Sequence, residues 1–317
     1  MMLARALLLT MLVLPGGALA QSKPVQLIVP FAPGASSDGI ARAIAPELGT
    51  RIGRTVVIEN KAGAGGTLGL IAVSKAPPDG DTLTLAATGA LVINPHIPNA
   101  TPIDPLRDVI AVAKLIEIPL VLVSNPKIGP KSVSDLLERA KQSPNGLSYG
   151  TTGVNSGQHL SMELFKKATG ANLIHIPYRG SAPTVTDLLG GQIPVACVDI
   201  TSAFPHIQAG NLIALGLMDK KRTPLAPDIP TIAEAGVPGF GREGGFMGIF
   251  APPGTPAATV KRLSREIGEI LKLPDVLAKV RLLTVQASYL DDEAFAQFLA
   301  AESAKWKQTL QSVGLTN

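Results

Sequence analysis

The chain has 317 residues, which at about 150 residues per domain suggests two domains. Apolar residues make up 46% of it and charged residues 16%, a composition that excludes a disordered chain and a coiled coil. The net charge of +4 is small for this length, and the eight Phe, three Tyr and one Trp are not interleaved with basic runs. A nucleic-acid-binding protein is therefore not expected.

The first 20 residues have the pattern of a secretory signal peptide. Arg5 supplies a positive charge, residues 6–14 form a short apolar run, and residues 18–20 read Ala-Leu-Ala, a typical cleavage sequence. Because the run is shorter than the roughly 20 apolar residues that cross a bilayer, the alternative is a buried N-terminal helix. No cysteine lies near residue 21 to carry a lipid, so we predict a periplasmic protein without a membrane anchor.

Strands and helices are predicted to alternate from residue 25 onward. Strands are predicted over residues 25–29, 55–59, 82–87, 147–149, 173–176 and 195–199, and helices over 36–53, 66–75, 183–189, 256–273 and 291–313. Pro46 lies inside the helix over 36–53 and is expected to kink or split it. The alternation predicts an α/β fold with mainly parallel sheets, arranged as two lobes around a cleft.

Two loops of similar character lie between a strand end and a helix start. Residues 30–38 read Pro-Phe-Ala-Pro-Gly-Ala-Ser-Ser-Asp, and residues 149–157 read Tyr-Gly-Thr-Thr-Gly-Val-Asn-Ser-Gly. A helix start presents unpaired N–H groups and the positive end of its dipole, and glycines and small hydroxyl residues let an anion approach them. Neither loop has a Lys or Arg, so the pattern favours a carboxylate over a polyphosphate. The alternative is that Ser36 and either Asn155 or Ser156 only cap their helices.

Motifs of the common enzyme classes are absent from the sequence. Residues 153–157 lack the spacing of a G-x-S-x-G nucleophile elbow, and the four histidines lack metal-ligand spacing. The Gly-rich stretch over residues 63–69 lacks the acidic residue of a dinucleotide site, so no cofactor and no metal are expected. An exported hydrolase that uses Ser156 or Asp199, with His159 completing a triad, is the alternative to a binding protein.

Seven short motifs follow one another along nearly the whole chain after residue 20. They span residues 28–38, 57–66, 149–163, 175–180, 187–192, 230–236 and 251–256. In this order and spacing they resemble the extracytoplasmic substrate-binding proteins of tripartite tricarboxylate transporters, the Bug or TctC-like family. The chain differs from the usual family pattern at Arg179, where Lys is common, and near Phe246, where Trp is common.

The resemblance implies a two-lobed periplasmic-binding-protein fold of type II, the Venus-flytrap form, with the ligand in a cleft between the lobes. It implies that residues 21–120 and 244–317 form lobe 1 and residues 121–243 form lobe 2. It further implies a receptor that is not an enzyme, which captures a di- or tricarboxylate or an aromatic carboxylate and delivers it to permease subunits in the membrane. A receptor that contacts a signalling sensor instead is a second alternative, and a monomer is expected.

The resemblance also sets the two loops opposite each other across the cleft and adds residues outside them. The predicted ligand-binding residues are Phe31, Ala32, Gly34, Ala35, Ser36 and Asp38 from the first loop, Thr151, Thr152, Gly153, Asn155, Ser156 and His159 from the second loop and the helix after it, and Thr88, Tyr178, Arg179 and Asp199 from other segments. Backbone N–H groups, hydroxyls and bridging waters are expected to hold the carboxylate.

Overall fold

The computed structural model describes residues 23–241, 245–283 and 285–312, so the predicted signal peptide lies outside the described residues. The described chain folds into two β-sheets covered by helices. Each sheet and its helices form one lobe, which gives the two-lobed α/β fold that the sequence predicts.

The first sheet has six strands and forms the centre of lobe 1. In spatial order its strands are β11 (Gln286–Leu290), β4 (Ile110–Ile118), β10 (Gly245–Ala251), β3 (Thr82–Ala87), β1 (Val25–Val29) and β2 (Val56–Asn60). The helices of this lobe are α1 (Ser36–Ile52), α2 (Thr67–Ser74), α7 (Ala257–Ile270), α8 (Pro274–Leu282) and α9 (Asp292–Ser312). Their apolar faces and the sheet enclose the main core, in which Leu27, Ile44 and Ile267 are fully buried.

The second sheet has five strands and forms the centre of lobe 2. In spatial order its strands are β7 (Leu173–Pro177), β6 (Leu147–Thr151), β8 (Val195–Asp199), β5 (Leu120–Ser124) and β9 (Ile213–Leu217). Its helices are α3 (Val133–Gln142), α4 (Gly157–Thr169), α5 (Ser181–Leu189) and α6 (Ile200–Gln208). Separate apolar cores lie on the two faces of this sheet.

The prediction of mainly parallel sheets is wrong. Strand β1 pairs in parallel with β2 and β3, and β6 with β7 and β8, but β10, β11, β5 and β9 are antiparallel to the strands they pair with. The reason is that the chain leaves lobe 1 and later returns to it. Pro119 alone separates β4 from β5, which lie in different sheets, and β10 re-enters lobe 1 between β3 and β4. These crossing strands do not follow a βαβ connection, which is what makes neighbouring strands parallel.

Helix α1 runs unbroken through Pro46, so the expected split does not occur. Ile40, Ile44 and Leu48 lie on one face of this helix and are fully buried. A proline inside a helix removes one backbone hydrogen bond, and the burial of this face outweighs that loss. The helix ends at Gly53, which adopts a left-handed conformation with φ of 72°.

Replacing Pro46 with alanine is expected to stabilise the protein. Pro46 is exposed, so little packing is lost, while the backbone N–H that alanine restores completes the helix. We expect the free energy of unfolding to rise by about 1–2 kcal/mol in urea denaturation, less than the full helix penalty because proline also restricts the unfolded chain. An unchanged or lower free energy of unfolding would contradict this account of α1.

Several elements were not predicted from the sequence. They are strands β4, β5, β9 and β11 and helices α6 and α8. The helix predicted over residues 256–273 ends earlier, as α7, and residue 313 of the last predicted helix lies outside the described residues.

Within the described ranges, the search for a helix of sufficient length and apolar character to cross a membrane finds none.

Candidate functional site

A pocket lies between the two lobes, at the ends of strands from both sheets. It holds about 520 Å³ of empty space, counted out to its open mouth. Its wall consists of Phe31, Ala35, Ser36, Ser37, Gly65, Ala87, Thr88, Gly89, Ile118, Gly245, Phe246 and Met247 from lobe 1, and Leu120, Thr152, Ser156, Gly157, Gln158, Ser181 and Asp199 from lobe 2. Both lobes therefore contribute polar groups to one small volume.

Four helices begin at this pocket. Ser36 opens α1, Gly157 opens α4, Ser181 opens α5, and Asp199 is the residue before α6; all four line the wall. The N-cap residues of α1, α5 and α6 form no side-chain capping bond. First-turn N–H groups and the positive ends of the helix dipoles consequently point at one place, which favours an anion there.

Local hydrogen bonds hold three of the hydroxyl groups of the wall. Ser156 caps α4, its Oγ accepting from the backbone N of His159 at 3.2 Å. Thr152 donates to Gln158 Oε1 at 2.9 Å. Thr88 Oγ1 accepts from the backbone N of Phe246 at 2.8 Å, across the gap between β3 and β10. These bonds fix where the polar atoms of the wall stand before any ligand arrives.

A direct bond between the lobes crosses the pocket. Asp199 Oδ2 accepts a short hydrogen bond from Ser36 Oγ and a longer one, 3.4 Å, from the backbone N of Ser36. Asp199 Oδ1 is buried and has no hydrogen-bond partner among the described residues, and the same is true of Ser37 Oγ. Asp199 is also the one charged residue among the described residues that line the pocket.

The structure places the predicted ligand-binding residues in two groups. Phe31, Ala35, Ser36, Thr88, Thr152, Ser156 and Asp199 line the pocket. Ala32, Gly34, Asp38, Thr151, Gly153, Asn155, His159, Tyr178 and Arg179 are not part of its wall. Several residues of the second group bond to the backbone or to other side chains close to the wall, and so support it instead of lining it.

Asp38 fixes the shape of the first loop. Its Oδ2 accepts from the backbone N of Gly34 at 3.2 Å and from Arg42 Nε at 2.9 Å, and its Oδ1 accepts from Asn60 Nδ2 at 3.1 Å. Burial alone would raise the pKa of the Asp38 carboxyl, but the bonds from Arg42, Gly34 and Asn60 hold that pKa below its usual value. Asp38 therefore stays ionised and braces the loop that ends at Ser36.

A pair of histidines lies behind the second loop. The rings of His159 and His175 are stacked with centroids 4.1 Å apart. His159 Nδ1 accepts from the backbone N of Asn155 at 3.2 Å, and His175 Nε2 lies 2.6 Å from Thr151 Oγ1. Burial lowers the pKa of His159, and burial together with the neighbouring His159 lowers the pKa of His175 to about 4. Both rings are therefore neutral at pH 7 and hold the loop in place.

The triad imagined for a hydrolase does not form. The Oγ of Ser156 bonds to the backbone of His159, while the ring of His159 bonds to Asn155 and stacks on His175. Asp199 bonds to Ser36. The three side chains therefore do not form the hydrogen-bonded chain of nucleophile, base and acid that a catalytic triad requires.

Tyr178 and Arg179 lie to the side of the pocket. The Tyr178 hydroxyl donates to Asp187 Oδ2 at 2.9 Å, and burial raises its pKa to about 12. Arg179 is exposed to solvent. Phe246, the other departure from the usual family pattern, lies on the pocket wall.

Two glycines of lobe 1 touch the second loop of lobe 2. A Cβ atom added to Gly89 would lie 3.0 Å from the carbonyl oxygen of Asn155 and 3.2 Å from the backbone N of Gly157. One added to Gly65 would lie 3.1 Å from the carbonyl oxygen of Val154. The two lobes therefore approach closely here, at the edge of the pocket, and a side chain at Gly65 or Gly89 would require the main chain of the second loop to shift by a few tenths of an ångström.

The sequence reasoning missed part of the wall. The pocket residues that were not predicted are Ser37, Gly65, Ala87, Gly89, Ile118, Leu120, Gly157, Gln158, Ser181, Gly245, Phe246 and Met247. Applying the helix-start argument to α5 as well would have found Ser181, because the same small hydroxyl residue opens that helix. Groups of His, Cys, Asp and Glu able to hold a metal ion were not found in the described part of the chain.

Comparison with known proteins gives a consistent result. The family model described as the tripartite tricarboxylate transporter family receptor matches residues 40–315. The solved structure of the periplasmic binding protein BugD is 30% identical, with a TM-score of 0.87 over 93% of this chain and 99% of that one. Rpa4515 of R. palustris, solved with adipate, is 31% identical with a TM-score of 0.87, over 93% and 98% of the two chains. MatC of Rhodopseudomonas palustris, solved with bound malate, is 30% identical with a TM-score of 0.83, over 90% and 98%.

Proposed function

Since the chain belongs to the receptor family of tripartite tricarboxylate transporters, we propose that it captures a small organic carboxylate in the pocket between its lobes and delivers it to the membrane subunits of such a transporter. The observation that carries this proposal is the convergence of four helix starts on one pocket. The family and its solved neighbours are substrate-binding receptors, so the chain is not an enzyme.

The pocket suits a carboxylate because its donors are neutral. Backbone N–H groups at the helix starts and the hydroxyls of Ser37, Ser156 and Ser181 supply hydrogen bonds, and no Lys or Arg is found among the described residues that line the wall. The malate of MatC and the adipate of Rpa4515 are both small carboxylates, which supports a ligand of this class for the present chain. An aromatic carboxylate is the other member of the class that the sequence suggests.

The proposed division of the chain follows the two sheets. Lobe 1 comprises residues 21–120 and 244–317, and lobe 2 comprises residues 121–243; the change of sheet at Pro119 supports the first boundary. We also propose that the mature protein acts as a monomer in the periplasm. Ligand contacts to both lobes would favour the closed arrangement through a hinge motion.

Alanine at Ser36 and at Ser156 tests the position of the site. Each substitution removes one hydroxyl at a helix start, and we expect each to weaken binding of the best ligand about fivefold, in line with roughly 1 kcal/mol per hydrogen bond. The ligand is found first by thermal-shift screening of residues 21–317 against aliphatic, aromatic and amino-acid carboxylates. A ligand at 100 times its Kd should stabilise the protein by about 2.7 kcal/mol.

The matched control is Ser134→Ala, at an exposed position on α3. Because Ser156 also caps α4, each variant is compared with its own unliganded melting temperature. Unchanged affinity in the double variant of Ser36 and Ser156 would place the site elsewhere. Chemical turnover of the bound ligand would instead overturn the receptor function.

A further inference from the structure

We infer that the ligand carries a hydrogen-bond donor in addition to its carboxylate, as 2-amino and 2-hydroxy acids do, and that Asp199 Oδ1 receives this donor. The inference rests on the proposed function and names the ligand class more closely. It selects against carboxylates whose polar atoms are all acceptors.

The first support is the state of the Asp199 carboxylate. Asp199 is only 5% exposed, and its Oδ2 is occupied by Ser36 of the opposite lobe. Asp199 lines the pocket, and its Oδ1 is buried without a hydrogen-bond partner among the described residues. A buried carboxylate oxygen without a donor is costly, because it has lost water and gained nothing in return. A ligand N–H or O–H group at this point removes that cost.

The second support is the charge of the wall. Among the described residues that line the pocket, Asp199 is the one charged side chain, and a cation that could neutralise it is not found among them. An unsubstituted dicarboxylate would bring further negative charge into a partly desolvated space next to it. An ammonium group on the ligand offsets the charge of Asp199, and a hydroxyl group at least supplies the missing hydrogen bond.

The third support comes from the opposite lobe. Ser37 is fully buried in the first turn of α1, and its Oγ also lacks a partner among the described residues. A hydroxyl can donate to a carboxylate, whereas Asp199 Oδ1 can only accept. Ser37 and Asp199 line the pocket from opposite lobes, and they thus carry one unused donor and one unused acceptor. A ligand with both a carboxylate and a donor matches the two together.

The test is a ligand series on one carbon skeleton, measured by calorimetric titration of the wild-type protein. Succinate, malate and aspartate differ only in the group on C2, as do glutarate, 2-hydroxyglutarate and glutamate; both enantiomers of each substituted acid are included. We expect at least one substituted acid to bind ten times more tightly than its unsubstituted parent. If the amino acid binds most tightly in its series, the donor is an ammonium group. If the hydroxy acid binds most tightly, the donor is a hydroxyl group.

A matched pair of variants assigns the preference to one atom. In Asp199→Asn we expect the advantage of the substituted acid over its parent to fall at least tenfold. In Asp135→Asn, which removes a carboxylate from the surface helix α3, we expect that advantage to be unchanged. If Asp199→Asn weakens substituted and parent acids by the same factor, Asp199 serves only to join the lobes and the assignment is wrong.

The two levels of inference fail in different ways. If parent acids bind as tightly as substituted ones, the protein is still a carboxylate receptor, a bridging water serves Asp199, and the donor requirement is overturned. If neither these acids nor the wider carboxylate panel bind, the proposed function fails and the donor requirement fails with it.

Discussion

Replacing Gly89 with valine is expected to lower ligand affinity about 100-fold, near the upper end of what overpacking costs in a well-packed contact. Gly89 begins a short π-helical turn, Gly89–Ile93, directly after β3. Its Cα faces the backbone of the second loop, and an added Cβ would lie within 3.2 Å of Asn155, Ser156 and Gly157 atoms that belong to the main chain. A main chain held by the cap of α4 cannot move aside as a flexible side chain would.

The loss is expected in binding and not in folding. The clash arises only between lobes, so the unliganded protein relieves it by opening, and its free energy of unfolding should change by less than about 1 kcal/mol. Calorimetric titration measures the affinity, and small-angle scattering with and without ligand shows whether the variant still contracts. Gly190→Ala is the matched control, because a Cβ there meets only ordinary contacts, the nearest at 3.4 Å. Undiminished affinity in the Gly89 variant would mean that ligand binding does not require this contact.

The second large effect concerns stability in acid, through His175. The pKa of this histidine is lowered from 6.5 to about 4 by burial and by the neighbouring His159. The unfolded chain therefore binds more protons than the folded one between these values, and stability falls as the pH drops through this window. Solvent screening of the partly exposed ring reduces the effect, so the loss from this one residue at pH 4.5 is about 1–2 kcal/mol relative to pH 7. Glu163 raises the pKa of His175 and Lys166 lowers it, so both residues shift the pH range over which stability is lost.

His175→Gln separates this contribution from the general effect of acid. Glutamine keeps a partner for Thr151 but does not titrate, so urea denaturation should show a smaller loss of stability between pH 7 and pH 4.5 than in the wild type. His206→Gln, on α6, is the control and should keep the wild-type slope. Parallel pH curves for the wild type and His175→Gln would show that the stacked pair does not govern acid stability.

Ligand affinity should also fall in acid, because the histidine pair supports the second loop. The Nδ1 atom of His159 accepts a hydrogen bond from Asn155, whose backbone is left-handed with φ of 58°. A protonated ring can no longer accept that bond, so the loop loses the contact that holds Asn155 in this conformation.

The elements and loops from β1 to β3 could be predicted from the sequence because their signals are local. The apolar spacing of Ile40, Ile44 and Leu48 and the glycine at position 53 define α1, and the burial of that helix explains why Pro46 does not divide it. Strands β4 and β5 were missed because no local sequence pattern indicates that the chain passes from one sheet to the other at Pro119. Sheet direction was misjudged for the same reason, since it depends on where the chain crosses between lobes.

The wall of the pocket was predictable to the same degree. Loop residues at helix starts, such as Ser36 and Ser156, do line the pocket, because the geometry of a helix start is the same in every protein. Asp38 and His159 carry equally suggestive side chains, yet they bond to neighbouring residues behind the wall. Gly89 gives no signal in the sequence, since its importance comes from a main chain nearly 70 positions away in the other lobe.

Pro119, the single residue between β4 and β5, acts as a hinge between the two lobes. A one-residue link, with the fixed φ of proline, joins the lobes here, and the chain crosses between them a second time before β10. Ile118 and Leu120, on either side of Pro119, lie on the pocket wall, so a ligand held in the proposed pocket would lie close to this link. A displacement of a fraction of an ångström at the ligand is thereby magnified at the outer rims of the lobes. We expect a membrane partner to distinguish loaded from empty receptor at those rims, where the swing is greatest, and not at the mouth of the pocket.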